Sequence, residues 1–167
     1  GGLGNDTYVF GLADGNDTIN EPVSATSGGT ADRMVIQAAG TALVGLNASD
    51  NNTATANGSL VVNFNGQTVT VNGHFTGGNA QTGVERINFN DGTYGGYLLG
   101  VDDYLISRLD PTGGSRTIDL TASTANNFIA GENGTDDLIT GGSGNDLIFG
   151  GTGDNTLNGG AGDDLLV

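Results

Sequence analysis

The sequence predicts an all-β protein built by stacking short repeats, with an insert of strands and one helix between two repeat blocks. Three observations predict it. Three nine-residue units run in tandem at the end of the chain: GGSGNDLIF (Gly141–Phe149), GGTGDNTLN (Gly150–Asn158) and GGAGDDLLV (Gly159–Val167), and the first nine residues, GGLGNDTYV, are a fourth copy. Glycine occurs 32 times against two prolines, without collagen's three-residue period, a composition that calls for another repeat or for disorder. Finally, 19 acidic residues stand against four arginines and no lysine, for a net charge of −15. Such a chain repels itself when compacted and repels nucleic acid and anionic membranes. A cation is therefore expected in the folded state, and a divalent metal is the obvious candidate.

In chain order, the first block (1–35) holds GGLGNDTYV and two weaker copies, ADGNDTIN (Ala13–Asn20) and SGGTADRMV (Ser27–Val35). The last block (116–167) holds ASTANNFIA (Ala122–Ala130), ENGTDDLIT (Glu132–Thr140) and the three tandem units. Aligned, position six reads Asp6, Asp17, Asp32, Asn127, Asp137, Asp146, Asn155 and Asp164. Position eight reads Tyr8, Ile19, Met34, Ile129, Ile139, Ile148, Leu157 and Leu166. A one-residue shift of ENGTDDLIT would put Asp136 in place of Asp137. Glycines allow φ > 0 and close approach of neighbouring turns. A short segment with one inward apolar residue reads as a strand buried on one face. One turn and strand cannot bury that residue alone, so units must stack.

The middle (36–115) departs from the repeat. Ser59–Phe64 and Gln67–Val71 flank Asn65-Gly66, a strong hairpin signal. Val84–Phe89 reads as a third strand, alternating Ile87 and Phe89 with Arg86 and Asn88, and ends in the turn Asn90-Asp91-Gly92. A helix is expected over Tyr97–Leu109, where Leu98, Val101, Leu105 and Leu109 are spaced three, four and four. Asp102 and Asp103 near its start and Arg108 near its end suit the helix dipole, and Asp110-Pro111 stops it. Ala39–Gly58 and Thr76–Gly83, rich in Asn, Thr, Ala and Gly, read as loops.

The nine-residue units resemble the RTX (repeats-in-toxin) nonapeptide GGxGxDxUx, in which U is large and apolar. The insert resembles the haemolysin-type calcium-binding-related segment in its strand–strand–VERINFNDGTYGG–helix order and its TVTVNGHF run. The resemblance implies a right-handed parallel β-roll with two nonapeptides per coil and Ca²⁺ between the turns of units i and i+2. Calcium wants six to eight oxygens, more than one Asp per turn supplies, so glycine-turn carbonyls must provide the rest. In the RTX pattern, positions two, four and six of one turn face one, three and six of the turn two units later. Carried onto this chain, Gly142, Gly144 and Asp146 face Gly159, Ala161 and Asp164. On the other side Asn133, Thr135 and Asp137 face Gly150, Thr152 and Asn155, where Asn155 replaces a carboxylate and weakens the site. Asp6 and Asp32 would share one side of the first block across an insertion, and a partner for Asp17 is expected in an upstream turn. Asp154 and Asp163, at position five, read as solvated, and Asp91-Gly92 as a turn former. Magnesium, which keeps its waters in a tight octahedron, and zinc, which wants Cys or His, fit poorly.

No catalytic constellation accompanies these motifs. His74 is the only histidine and reads as structural; no GxSxG, HExxH or P-loop is present. The carboxylate pairs sit in metal turns, and the chain has no Trp to line a sugar cleft. Without cysteine, metal is the expected staple. No stretch of about 18 apolar residues reads as a membrane helix. The expectation is a bacterial, extracellular or cell-surface module rather than an enzyme. It would bind calcium and fold on Ca²⁺ after type I secretion, within an adhesin, surface-layer or filament-type protein. The alternative is the accessory domain of a secreted protease, lipase or cytolysin. Its partners would be calcium ions, neighbouring repeats of the parent chain or a second copy, with no nucleic acid and no membrane insertion.

Overall fold

The structure, a computed structural model, describes residues 4–21, 31–51, 57–76, 83–100, 103–107 and 116–167. Among these every regular element is a strand. The repeat units supply β1 (Thr7–Phe10), β2 (Asp17–Asn20) and β3 (Arg33–Ile36). The middle supplies β4 (Asn47–Asp50), β5 (Asn57–Phe64), β6 (Gln67–Thr76), β7 (Arg86–Asn88), β8 (Gly92–Tyr94), β9 (Tyr97–Gly100) and β10 (Tyr104–Ser107). The last block supplies β11 (Thr117–Asp119), β12 (Asn127–Ala130), β13 (Leu138–Thr140), β14 (Leu147–Phe149), β15 (Thr156–Asn158) and β16 (Leu165–Leu166).

In the last block the strands alternate between two parallel sheets, β12-β14-β16 and β11-β13-β15, so each coil consumes two nonapeptides. This is the parallel roll the repeat implies. Both repeat blocks join one seven-stranded sheet, β1-β3-β7-β10-β12-β14-β16. β1, β3 and β7 are parallel to one another, β7 and β10 are antiparallel, and β10 runs parallel to β12. Strand direction therefore reverses once, at the seam between β7 and β10.

That reversal decides where the second layers lie. Parallel crossovers keep one hand. If strand direction flips while the sheet grows in the same sense, the return strands must move to the opposite face. The side chains record this. In the first half, position-eight residue Met34 and its register partner Ile87 face the main core, with Ile19, Val69 and Val71 of the sheet β2-β6-β5-β4. In the second half, position-eight residues Ile129 and Ile148 face the other way, into a smaller core with Ile118, Leu120 and Ile139. Phe128, Ala130, Leu147 and Phe149 then return to the main core, where β4 lies against β12 and β14. Here the seven-stranded sheet is thus the middle of three layers, between β11-β13-β15 and the insert, and β12 and β14 are buried on both faces.

Phe128 is the keystone of this arrangement, with its ring centroid 5.3 Å from Phe149 and 6.2 Å from Phe89. Phe128→Ala should cost roughly 3–5 kcal/mol and lower the thermal midpoints of insert and roll together. A midpoint shift confined to one of them would show that the layers are not cooperative.

The Asn65-Gly66 hairpin forms as expected, with both residues at positive φ (50° and 76°) as a type I′ turn requires. Asn90 and Asp91 also take positive φ, at the turn after β7. The expected helix over Tyr97–Leu109 is absent: β9 pairs with β8 around a Gly95-Gly96 turn, and β10 fills the seam. The burial there has period two, with Leu99, Tyr104 and Ile106 inside and Leu98 68% exposed. The helical spacing of leucines was overridden by two sheet edges that needed a strand. Arg108, Leu109 and Asp110-Pro111 lie outside the described residues, as do Asp102 and most of Thr76–Gly83. Ala39–Gly58 is not all loop, because β4 forms within it, with Leu46 and Ala48 buried.

Candidate metal centre

Where turns stack, position six makes a ladder. Asn127 N and Nδ2 both donate to Asp146 Oδ1 at 2.8 Å, and Gly142 N donates to Asp146 Oδ2 at 2.7 Å. One coil on, eighteen residues away, Asp146 N donates to Asp164 Oδ1 at 2.9 Å. Opposite, Asp137 N donates to Asn155 Oδ1 at 2.9 Å. In the first block Asp6 N donates to Asp32 Oδ1, and Asp32 N to Glu85 Oε2, both at 2.6 Å. Position five makes a second ladder running the other way. Asn145 N donates to Asn126 Oδ1 at 2.9 Å, Asp163 N to Asn145 Oδ1 at 3.0 Å, and Asp154 N to Asp136 Oδ1 at 2.9 Å.

The glycines are there because backbone oxygens occupy the space a side chain would need. A Cβ on Gly160 would lie 2.1 Å from Gly142 O, one on Gly162 2.3 Å from Gly144 O, and one on Gly153 2.1 Å from Thr135 O. A Cβ on Gly141 would lie 2.3 Å from both Gly159 O and Asp146 Oδ2. Ala161 N also donates to Gly142 O at 3.0 Å. The structure therefore stacks the turn bearing Gly142, Gly144 and Asp146 directly on the turn bearing Gly159, Ala161 and Asp164. Asn133, Thr135 and Asp137 likewise stack on Gly150, Thr152 and Asn155, with Gly134 N donating to Thr152 O at 2.8 Å.

The donor set fits a hard cation. Among the described residues no group of three or more His, Cys, Asp or Glu side chains converges as a metal site. An ion between these turns would meet few carboxylates and many carbonyls, the mixture calcium accepts and zinc does not. At Asn155 the amide Nδ2 donates to Gly151 O and Gly153 O, both at 3.4 Å, so a neutral donor takes up oxygens of its own turn. Asp137 is buried while Asp136 is exposed, so Asp137 is the inward residue of its unit.

These features coincide with two family matches. Residues 119–141 and 133–166 match the RTX calcium-binding nonapeptide repeat (4 copies). The chain carries RTX calcium-binding repeats. Residues 60–94 match the haemolysin-type calcium binding protein related domain, within the insert. No curated protein matches the chain. The matched repeats are calcium-binding, and the RTX module is a structural element typical of secreted proteins. No described helix is long and apolar enough to cross a membrane.

Sequence reasoning missed Glu85. Val84-Glu85-Arg86-Ile87 stands in register with Ala31-Asp32-Arg33-Met34, so Glu85 is position six of a third coil in the first half. Matching these two tetrapeptides would have found it. β2 pairs with β6, where the group facing its turn is an amide: Gly15 N donates to Gln67 Oε1 at 2.6 Å. Asp17 itself stands in register with Val69. His74 is fully buried against Phe75, their ring centroids 4.5 Å apart.

Burial pushes the Glu85 carboxyl above its ordinary range, and the nearby Asp32 carboxylate adds to the shift, against a backbone hydrogen bond from Asp32 that lowers it. A raised folded-state value means that the charged form costs stability as pH rises through it. Glu85→Gln keeps an acceptor for Asp32 N and removes that cost. In calcium-free buffer its urea midpoint should exceed that of the native chain at neutral pH, and the difference should vanish on acidification below the ordinary Glu range. A gain independent of pH would refute this.

Proposed function

We propose that this chain is a calcium-dependent folding module of a larger extracellular protein of the adhesin, surface-layer or filament type. It would leave the cell unfolded through a type I channel and fold outside. The observation that carries this reading is the pair of stacked turns around Asp146 and Asp164, where glycine carbonyls and aspartates of successive coils are held in contact. With a net charge of −15 and 32 glycines, both repulsion and chain entropy oppose these coils without a cation. With calcium, binding free energy becomes folding free energy. Extracellular calcium modules bind at about 10⁻⁴–10⁻³ M, which suits a chain that must stay open inside and close outside. The ligands would be the position-two, -four and -six groups Gly142, Gly144 and Asp146 with Gly159, Ala161 and Asp164. The site at Asn155 would be weaker. The module is structural and performs no catalysis itself. Its further partners would be neighbouring repeats or another copy.

Far-UV circular dichroism during a calcium titration from EDTA, with magnesium as control, tests this. The expected result is a cooperative gain of β signal near millimolar calcium that magnesium does not produce. A signal indifferent to calcium would refute the reading.

A further inference from the structure

Arg116 is the only buried arginine among the described residues. It stands just before β11, where the last block begins. Its Nη1 lies 3.1 Å from Asp50 Oδ2 and its Nη2 2.5 Å from Glu132 Oε2, with the three side chains 2%, 0% and 8% exposed. Asp50 belongs to the insert, at the end of β4. Glu132 opens the unit ENGTDDLIT, where the three tandem units have glycine. The guanidinium therefore joins two segments through two buried carboxylates. Backbone contacts run beside it: Asp50 N donates to Gly131 O at 3.0 Å, and Asn133 Nδ2 to Ser49 Oγ at 3.1 Å. The same residues hold Asp137. Arg116 N and Thr135 Oγ1 donate to its Oδ1, both at 3.1 Å, and Glu132 N to its Oδ2 at 3.0 Å.

We infer that Arg116 is a built-in cation that closes the first coil of the C-terminal roll onto the insert without calcium, making that coil the seed onto which calcium adds the later ones. The inference rests on the calcium-dependent folding proposed above and says where that dependence begins. Buried carboxylates need a cation. Here the chain supplies it covalently, in the guanidinium held between Asp50 and Glu132. Further along, the stacked turns around Asp146 and Asp164 contain no arginine or lysine. In stacked repeats each coil contacts only its neighbours, so folding spreads from whichever coil is already stable.

Hydrogen exchange read by mass spectrometry on the full 167-residue chain, in EDTA and in calcium, tests this. In EDTA, peptides covering 47–50, 116–120 and 127–132 should exchange at least about tenfold more slowly than those covering 150–167, and calcium should protect the latter. Arg116→Met should abolish protection of 116–132 in EDTA while leaving β5 and β6 protected. The neutral triple variant Asp50→Asn/Arg116→Met/Glu132→Gln should regain it, because no unpaired carboxylate remains. If 116–132 exchanges as fast as 150–167 in EDTA, or if Arg116→Met leaves 116–132 protected, the inference is overturned while calcium-dependent folding stands. Slow exchange of 150–167 in EDTA would overturn both.

Discussion

Asp146→Ala should cost roughly 3–5 kcal/mol before any ion is considered, because it removes an acceptor shared by three donors in a buried turn. Those donors are Asn127 N, Asn127 Nδ2 and Gly142 N, all within 2.8 Å of a carboxylate that is 1% exposed. The proposed calcium site raises the loss further, since this carboxylate is one of the few charged groups the two turns offer. The expected result is a chain whose last coils no longer gain β signal at any calcium concentration that folds the native protein. Asp146→Asn should fall between, because its carbonyl can still accept from Asn127 N and Nδ2 while its amide opposes Gly142 N. The control lies nearby in the same stacked turns. Asp163 is exposed, and its contribution to the ladder is its backbone N–H, which survives mutation. Asp163→Ala should therefore change stability by no more than about 0.5 kcal/mol. Equal losses at Asp146 and Asp163 would mean that net charge, not the position-six ladder, sets calcium dependence.

The roll was legible in the sequence because its physics is local. A nine-residue unit with glycines at fixed places and one large apolar residue specifies a turn, a strand and a stacking direction. Gly141–Val167 obeys that rule so closely that its strands, register and facing turns follow from it. The reversal at β7 and β10 was not legible in the same way, because it depends on which edge a distant strand meets. A trace of it was present: Leu147 and Phe149 flank Ile148, whereas Thr156 and Asn158 flank Leu157. Apolar residues on both sides of a position-eight residue mark a strand covered on both faces, and β14 is such a strand while β15 is not. The helix expected over Tyr97–Leu109 failed for the complementary reason. The three spacings among Leu98, Val101, Leu105 and Leu109 fit a helix, but Leu99, Tyr104 and Ile106 fit the sheet that surrounds them. Glu85 escaped notice because its unit has Ala80 and Gln81 where the tandem units begin with two glycines, keeping only Gly83, and pairing with β3 identifies it.

The glycines of the turns carry the second large effect, and two of them separate its causes. Gly134 and Gly162 both adopt positive φ, 85° and 125°, so alanine is strained at either. At Gly134 an added Cβ meets nothing within 4 Å, whereas at Gly162 it would sit 2.3 Å from Gly144 O and 2.9 Å from Gly144 C. Gly134→Ala should therefore cost only the backbone term, about 1–2 kcal/mol. Gly162→Ala carries that term and also forces two coils apart at the oxygen proposed to face the ion. Its loss should exceed that of Gly134→Ala by about 2 kcal/mol or more, together with a shift of the calcium midpoint to higher concentration. Calcium titrations of the two variants, followed by circular dichroism and by calorimetric stoichiometry, measure both quantities. If the two alanines behave alike, backbone conformation alone explains the glycine pattern, and the close approach of carbonyl oxygens between coils has no part in binding. If Gly162→Ala alone loses calcium, the spacing of the coils is itself a ligand-positioning device. The glycine repeat is then read as a rule about where oxygen atoms may stand.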